Sequence, residues 1–287
     1  MIRLPLNANR DLSSRFTDNL VGRRLDLGSD EIHPYTALSA CWRKVRGPAA
    51  EVVGHLRNLQ AAAEDNFEPE PALRSLKALI YSATEVFDFY QSIQKLMEAG
   101  RSTAEKNLIR DYAAGVKRLR SPIALMCNRM KHNYREMVAA KFVSEATGQA
   151  TFVYRINAVY EGVQQADRDV HRTGSFASIE RTVHEIIHGL LRADFRAGEL
   201  VRALPDRDEP VIHLRGMPSL GMAEVLINLG TRTPTVAASE SNRFDGIAVE
   251  EDDILITRVT AHKIPEPTRR QMHATADEVA RTLHLIV

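Results

Sequence analysis

Residues 71–100 read PALRSLKALIYSATEVFDFYQSIQKLMEAG, and this stretch decides the class of fold. Apolar side chains recur along it at intervals of three and four, at Leu73, Leu76, Leu79, Ile80, Phe87, Tyr90 and Ile93. That spacing predicts a single amphipathic helix of about 30 residues with one apolar face. Helices of this length are typical of bundles, so the pattern predicts a bundle of long helices.

Helical patterns on both sides of this stretch extend the predicted bundle. One helix is expected to begin at Pro48, because proline is favoured in the first turn. Ser102-Thr103-Ala104-Glu105 resembles a capping box that opens the next helix. Ser121-Pro122 is expected to restart or kink that helix, and the pattern continues to about Ala140. A last long helical pattern follows Phe176 and runs to about Leu204.

Strand patterns interrupt and follow these helices. A β-hairpin is predicted over about residues 141–162, because strand-forming side chains flank the turn residues Thr147-Gly148-Gln149. Beyond Pro205 a helix is expected over about 267–285, preceded by short strands at Val211–Leu214, Val225–Leu229, Ile247–Val249 and Ile254–Val259.

The predicted fold is α+β, with a long-helix bundle that contains an inserted β-hairpin and is followed by a smaller mixed α/β C-terminal part. Three segments are expected. Residues 1–48 form an irregular N-terminal segment, residues 49–204 form the bundle with its hairpin, and residues 205–287 form a small mixed strand and helix domain.

Composition excludes several classes of protein. The 287 residues include 38 Lys and Arg against 37 Asp and Glu, so the net charge is +1 and no overall basic excess indicates nucleic acid or an anionic membrane. A local basic patch is still compatible with this balance. Cys41 and Cys127 are far apart, which argues against a disulfide framework. With no long apolar run, we expect a cytoplasmic protein without a membrane span.

One short string has a known chemical meaning, His184-Glu185-Ile186-Ile187-His188. Two histidines four apart on a helix can reach one zinc ion, and the glutamate between them is where zinc hydrolases keep a general base. Asp194 follows six residues later as a candidate third ligand. The string resembles that of metzincin-type zinc proteases, and the resemblance implies zinc bound by His184 and His188, with Glu185 as base.

The same helix also has an interpretation without metal. At 100° per residue its apolar side chains gather on one side and its charged side chains opposite, with His184 and His188 at the boundary. Asp194 falls within the apolar side. A carboxylate there needs a cation or a hydrogen-bond donor, because an unpaired buried charge is costly.

A second candidate site lies at the densest basic stretch. Asn128 and His132 are four apart and point to the same side of a predicted helix. An amide and a histidine can hold a phosphate or a ribose hydroxyl, and cations around them can neutralise phosphate charge. The candidate nucleic-acid-binding cations are Arg129, Lys131, Arg135 and Arg120, with Lys117 and Arg118 just upstream.

Long helices with Asn-x-x-x-His near the middle of a late helix resemble HEPN domains over roughly residues 70–204. HEPN domains are small helical bundles of bacterial defence and toxin systems, and many act as metal-independent ribonucleases. The resemblance implies that Asn128 and His132 would be the catalytic residues. The family's motif arginine would stand at Cys127, so the residues favour a non-catalytic module that binds RNA or a protein partner.

Three functions therefore follow from the sequence. The first is a HEPN-like interaction or RNA-associated module that needs no cofactor, and the resemblance implies a role in bacterial defence or stress response. The alternatives are a zinc-dependent hydrolase at His184 and His188, and a structural scaffold without an active site. Long helices often pair in symmetric dimers, which makes a homodimer one candidate assembly.

Overall fold

The computed structural model describes residues 1–6, 12–20, 34–61, 68–98, 101–133, 135–144, 146–171, 176–204, 220–251 and 253–266. In chain order the elements are β1 (Ile2–Pro5), α1 (Arg15–Leu20), α2 (Pro34–Ala61), α3 (Glu70–Glu98), α4 (Thr103–His132), β2 (Met137–Val143), β3 (Ala150–Tyr160), β4 (Val163–Ala166), α5 (Arg168–His171), β5 (Ala177–Ser178), α6 (Ile179–Ala203), α7 (Ala223–Gly230), β6 (Thr235–Ala237), β7 (Arg243–Glu250), β8 (Asp253–Thr260) and β9 (His262–Ile264).

The fold is α+β, and its long helices confirm the predicted bundle. Helix α3 spans the stretch that the periodicity predicted, and it packs between α2 and α4. The capping box at the start of α4 is present, because the Ser102 side chain accepts from the backbone of Glu105 and the Glu105 side chain accepts from the backbone of Ser102. Local chemistry therefore sets the beginning of α4.

One predicted helix start was wrong, at Pro48. Helix α2 begins at Pro34 and continues through Pro48, although Pro48 removes a backbone hydrogen bond. The buried face formed by Trp42, Val45, Ala49 and Val52 continues across the proline, so packing against the core holds the helix together. Helix α2 therefore begins inside the segment 1–48, where only irregular chain or short elements were expected. Helix α4 runs through Pro122 as one helix, which excludes a restart there and leaves the predicted kink as a prediction.

Helix α4 ends at His132, earlier than predicted, because the next residues pair as a strand. Met137–Val143 forms an antiparallel ladder with Ala150–Ile156. This ladder confirms the predicted hairpin, whose turn places Gly148 at φ +66°. Strands β4 and β5 also pair with β3, so β3 is the centre of a small sheet.

The C-terminal part combines correct and wrong predictions. Strands β7 and β8 pair in antiparallel fashion, as the patterns at Ile247–Val249 and Ile254–Val259 predicted. Val225–Leu229, predicted as a strand, lies in helix α7, which buries Val225, Leu226 and Leu229. The predicted strand Val211–Leu214 and the predicted helix over 267–285 lie outside the described residues.

One hydrophobic core connects the bundle with the strands at both ends of the chain. Strand β1 pairs with β8, and the main core contains Leu4 together with Ile247, Ile254 and Ile256. Helix α6 crosses this core and contacts α1, α3, α4 and β7. In the described part of the chain, none of the helices has the combination of length and apolar character that crossing a membrane requires.

Candidate functional sites

Helix α6 carries both histidines of the zinc-like string, and the structure buries them. The Ser178 side chain caps the helix by accepting a hydrogen bond from the backbone of Arg181. His184 is 0% exposed and His188 is 4% exposed, so their predicted place at the boundary was wrong. Strand β7 covers this side of the helix, since the backbone N–H of Ile247 donates to Nδ1 of His184 across 3.2 Å.

Burial keeps both imidazoles neutral near pH 7. It lowers the pKa of His184 to about 3 and that of His188 to about 4, because a charged imidazolium is poorly solvated inside the protein. Nδ1 of His184 accepts a hydrogen bond, so the proton of the neutral ring lies on Nε2. A Cβ added at Gly246 would come within 3.0 Å of Nδ1, so the backbone of β7 lies directly against this nitrogen.

Glu185, the candidate base between the two histidines, faces solvent instead of the buried side of the helix. Glu185 is partly exposed and forms an ion pair with Arg181 at 2.9 Å on the solvent side of α6. Among the described residues, no group of three or more histidine, cysteine or acidic side chains is arranged to hold a metal ion. A zinc ion at this place would therefore have two neutral imidazoles as ligands, and no third ligand is present among the described residues.

Asp194, the candidate third ligand, accepts hydrogen bonds from helix α1 and from α3. The Ser14 hydroxyl donates to its Oδ1 at 2.5 Å, and the backbone N–H of Arg15 donates to its Oδ2 at 2.6 Å. The Tyr90 hydroxyl donates to Oδ1 at 2.8 Å. These contacts confirm the expectation that a carboxylate on the apolar side of α6 needs donors, and they attach the start of α1 to the core.

Burial nevertheless raises the pKa of Asp194 to about 6. The hydrogen bonds from Ser14, Tyr90 and the backbone of α1 lower the pKa, but the cost of burying the charge is larger. The Asp194 carboxylate is thus a structural group, because its hydrogen bonds hold the start of α1 against α6. With a pKa of about 6, the Asp194 carboxyl changes its protonation state about one pH unit below neutrality.

The second candidate pair, Asn128 and His132, lies on the surface. Both side chains are exposed on α4, at positions separated by about one turn. Cys127, at the place of the HEPN arginine, is buried in the core, as a thiol on the apolar side of the helix should be. The structure therefore places the predicted pair at the solvent-facing side of the bundle.

The cations predicted to bind nucleic acid have partners within the protein. Arg129 forms ion pairs with Asp167 and Asp169, and Arg135 forms one with Asp167. These two aspartates follow the hairpin, and nothing in the local sequence indicates that they reach α4.

The two remaining predicted cations also have partners. Arg120 pairs with Asp88 at 2.7 Å, and the Lys131 ammonium lies 4.7 Å from the centre of the Tyr81 ring. All four predicted cations are thus engaged inside the protein. The contacts of Arg120 and Lys131 lie at the surface, where such contacts are weak and can exchange. Asp167, which pairs with Arg129 and Arg135, is fully buried.

A row of cations without such partners lies further along the same helix. Lys106, Arg110, Lys117 and Arg118 are exposed, and no described carboxylate forms an ion pair with any of them. Sequence reasoning noted Lys117 and Arg118 and missed Lys106 and Arg110. A helical wheel could have found them, because at 100° per residue Lys106, Arg110 and Lys117 fall within about 40° of one another.

Comparisons with family models, with curated proteins and with solved structures find no match for this chain.

Proposed function

We propose that this protein is an RNA-associated module that binds RNA along the exposed face of α4. We call this face the α4 surface and define it by Lys106, Arg110, Lys117, Asn128 and His132. The observation that carries the proposal is that its three cations are exposed and have no ion-pair partner among the described residues. Unpaired cations on one face are the usual means of contacting phosphates.

The dimensions of the α4 surface suit a nucleic-acid strand. From Lys106 to His132 the helix rises about 39 Å, at about 1.5 Å per residue. Cations therefore occupy one half of the face, and the Asn128 and His132 pair occupies the other. Lysine and arginine neutralise phosphates, while amide and imidazole groups can hydrogen-bond to phosphate oxygens or to the ribose 2′-hydroxyl.

The side chains around His132 fit a protein that binds RNA better than one that cleaves it. Cys127 is buried, and Arg129 and Arg135 are held by Asp167 and Asp169. A ribonuclease needs a free cation to stabilise the charge that develops on the phosphate. The HEPN-like resemblance thus supports an RNA-binding role more strongly than a catalytic one.

Fluorescence anisotropy with a labelled single-stranded RNA tests the proposal. The variant Lys106→Gln, Arg110→Gln, Lys117→Gln removes the three cations, and Arg43→Gln, Arg74→Gln, Arg243→Gln is a matched control of exposed arginines without ion pairs among the described residues. We expect at least a tenfold loss of affinity in the α4 variant and less than twofold in the control. The slope of log affinity against log salt should fall by about 2, since each phosphate contact contributes about 0.7.

Two outcomes would remove the proposal. Absence of RNA binding by the wild type would leave the α4 surface to a protein partner or to no ligand. Equal weakening in both triple variants would show that only overall charge matters. The catalytic alternative has its own test, in which RNA is incubated with wild type and with His132→Ala in EDTA. Cleavage that depends on His132 would establish a ribonuclease.

A further inference from the structure

We infer that Arg118, Arg192 and Arg196 form a binding site for a phosphate group where helices α4 and α6 pack together. The Arg196 guanidinium lies directly against the backbone of α4 at Gly115. A Cβ added at Gly115 would lie only 2.5 Å from Nη1 of Arg196 and 3.0 Å from its Cζ. Any larger residue at this position would displace the guanidinium.

The other two arginines belong to the same junction. Arg118 follows Gly115 by three residues and Arg192 precedes Arg196 by four, so each lies about one helical turn from the contact. Arg118 is exposed, whereas Arg192 and Arg196 are half-buried. The group is therefore open to solvent on one side and enclosed by the two helices on the other.

Two neighbouring charges act on Arg196, those of Arg192 and Arg118, and both are positive. Among the described residues no carboxylate forms an ion pair with any of the three arginines, in contrast to Arg120, Arg129 and Arg135 nearby. Burial lowers the pKa of Arg196, and the charges of Arg192 and Arg118 lower it further. Like charges close to the half-buried Arg196 guanidinium are unfavourable without a counter-ion, and a bound anion would offset that repulsion.

A phosphate group fits this arrangement better than a carboxylate. Guanidinium groups bind phosphate oxygens through two parallel hydrogen bonds, and a phosphate offers more oxygens and more charge to three such groups. Two sources can supply it, namely free phosphate compounds and the backbone of RNA. Arg118 adjoins Lys117 of the α4 surface, so an RNA strand on that surface could place a phosphate at this junction; this RNA source rests on the proposed function.

Isothermal titration calorimetry with pyrophosphate tests the site without RNA. The variant Arg118→Gln, Arg192→Gln removes two of the three guanidinium groups, and Arg43→Gln serves as the control. We expect saturable binding by wild type and control, and at least a tenfold loss in the double variant. Circular dichroism checks that the double variant is folded. No saturable binding by the wild type, or equal binding by the double variant, would overturn the inference.

RNA binding by the same variants identifies the source of the phosphate. At least a threefold loss of RNA affinity in the double variant assigns the site to the RNA backbone. Unchanged RNA affinity with lost pyrophosphate binding assigns it to free phosphate compounds. Pyrophosphate binding in a wild type that binds no RNA would remove the proposed function and leave this site standing. RNA binding by a wild type that does not bind pyrophosphate would overturn this inference and leave the proposed function standing.

Discussion

The Tyr90 hydroxyl donates a hydrogen bond of 2.8 Å to the carboxylate of Asp194, and both side chains are buried. The indole N–H of Trp42 donates to the same phenol oxygen at 3.1 Å. Because Asp194 also accepts from Ser14 at the start of α1, one chain of hydrogen bonds connects α1, α2, α3 and α6. This polar network lies inside the hydrophobic core and connects the four helices where they pack together.

Removal of the Tyr90 hydroxyl should weaken the whole network. Tyr90→Phe deprives Asp194 of a donor and Trp42 of its acceptor, and both partners stay buried. We expect a loss of about 2 kcal/mol in the free energy of unfolding, because unsatisfied buried polar groups are costly. Urea denaturation followed by circular dichroism measures it.

Tyr112→Phe is the matched control for this prediction. The Tyr112 hydroxyl donates to the backbone oxygen of Tyr90 at 2.7 Å. Burial raises the pKa of Tyr112 and the Asp194 charge raises it further, but the hydrogen bond of this hydroxyl goes to a neutral carbonyl and not to that carboxylate. Its loss should cost about 1 kcal/mol, the value of an ordinary neutral hydrogen bond. An equal or larger loss for Tyr112→Phe would argue against a special role for the Asp194 network.

Asp194 should make stability depend on pH between about 4 and 6. Its pKa rises from an ordinary value of 3.8 in the unfolded chain to about 6 in the folded chain. Within this window the folded chain holds a proton that the unfolded chain has released. Stability is therefore greatest below pH 4 for this group and decreases as the pH rises to 6, by up to about 3 kcal/mol.

Asp194→Asn should abolish that dependence. The difference in the free energy of unfolding between wild type and variant should decrease by up to about 3 kcal/mol from pH 4 to pH 7. Urea denaturation at a series of pH values measures the difference. A difference that stays constant across the window would show that Asp194 keeps an ordinary pKa.

His171 should act in the opposite direction. Its Nε2 accepts the backbone N–H of Ile156 at 2.8 Å, and burial, aided by Arg155, lowers its pKa from 6.5 to about 4. The folded chain binds fewer protons than the unfolded chain between these values. Stability should therefore decrease as the pH falls from 6.5 to 4, by up to about 3 kcal/mol for this group.

The substitution His171→Gln tests this, because glutamine can still accept a hydrogen bond but does not titrate. The variant should lose less stability than the wild type on acidification. NMR titration of the His171 ring should give a midpoint near pH 4. A midpoint near 6.5 would contradict the burial argument.

Two glycines in helices should respond to alanine with opposite signs. A Cβ at Gly198 would lie 2.7 Å from the backbone oxygen of Arg15, so Gly198→Ala must push α1 away from α6. We expect a destabilisation of about 2 kcal/mol. A Cβ at Gly54 meets nothing within 4 Å, so Gly54→Ala should stabilise helix α2 by about 1 kcal/mol or less. Thermal unfolding of the two variants, compared with wild type, gives both signs.

The ion pair of Asp169 with Arg129 adjoins Asn128 of the α4 surface, so removal of this carboxylate should leave Arg129 more available to RNA bound there, although Asp167 remains as its second partner. Asp169→Asn removes the exposed partner of Arg129 and should strengthen RNA binding about threefold at low salt. Asp245→Asn is the control, since it removes the same charge beside Arg258 on the β7–β8 strand pair. Anisotropy measurements with equal gains for both variants would indicate a general charge effect. Unchanged RNA affinity in Asp169→Asn would show that RNA does not contact Arg129 and binds through other cations.

Local patterns were sufficient to predict the long helices, the hairpin and the strands β7 and β8. The periodicity around Tyr90 and the capping box of Ser102 and Glu105 both act within a helical turn, so they can be recognised in a short window of sequence. The failures at Pro48 and at Val225–Leu229 have one cause. Burial against the rest of the protein decided these segments against their local preference.

By itself the sequence determined which segments become long helices and that a carboxylate at Asp194 needs hydrogen-bond donors. Only the tertiary structure decided that Ser14 and Tyr90 supply them, that strand β7 buries His184, and that Asp169 engages Arg129. Ser14 and Asp194 are 180 residues apart, and Ile247 and His184 are 63 apart. Local spacing carries no information about such partners, because they meet only when separate elements pack into one core.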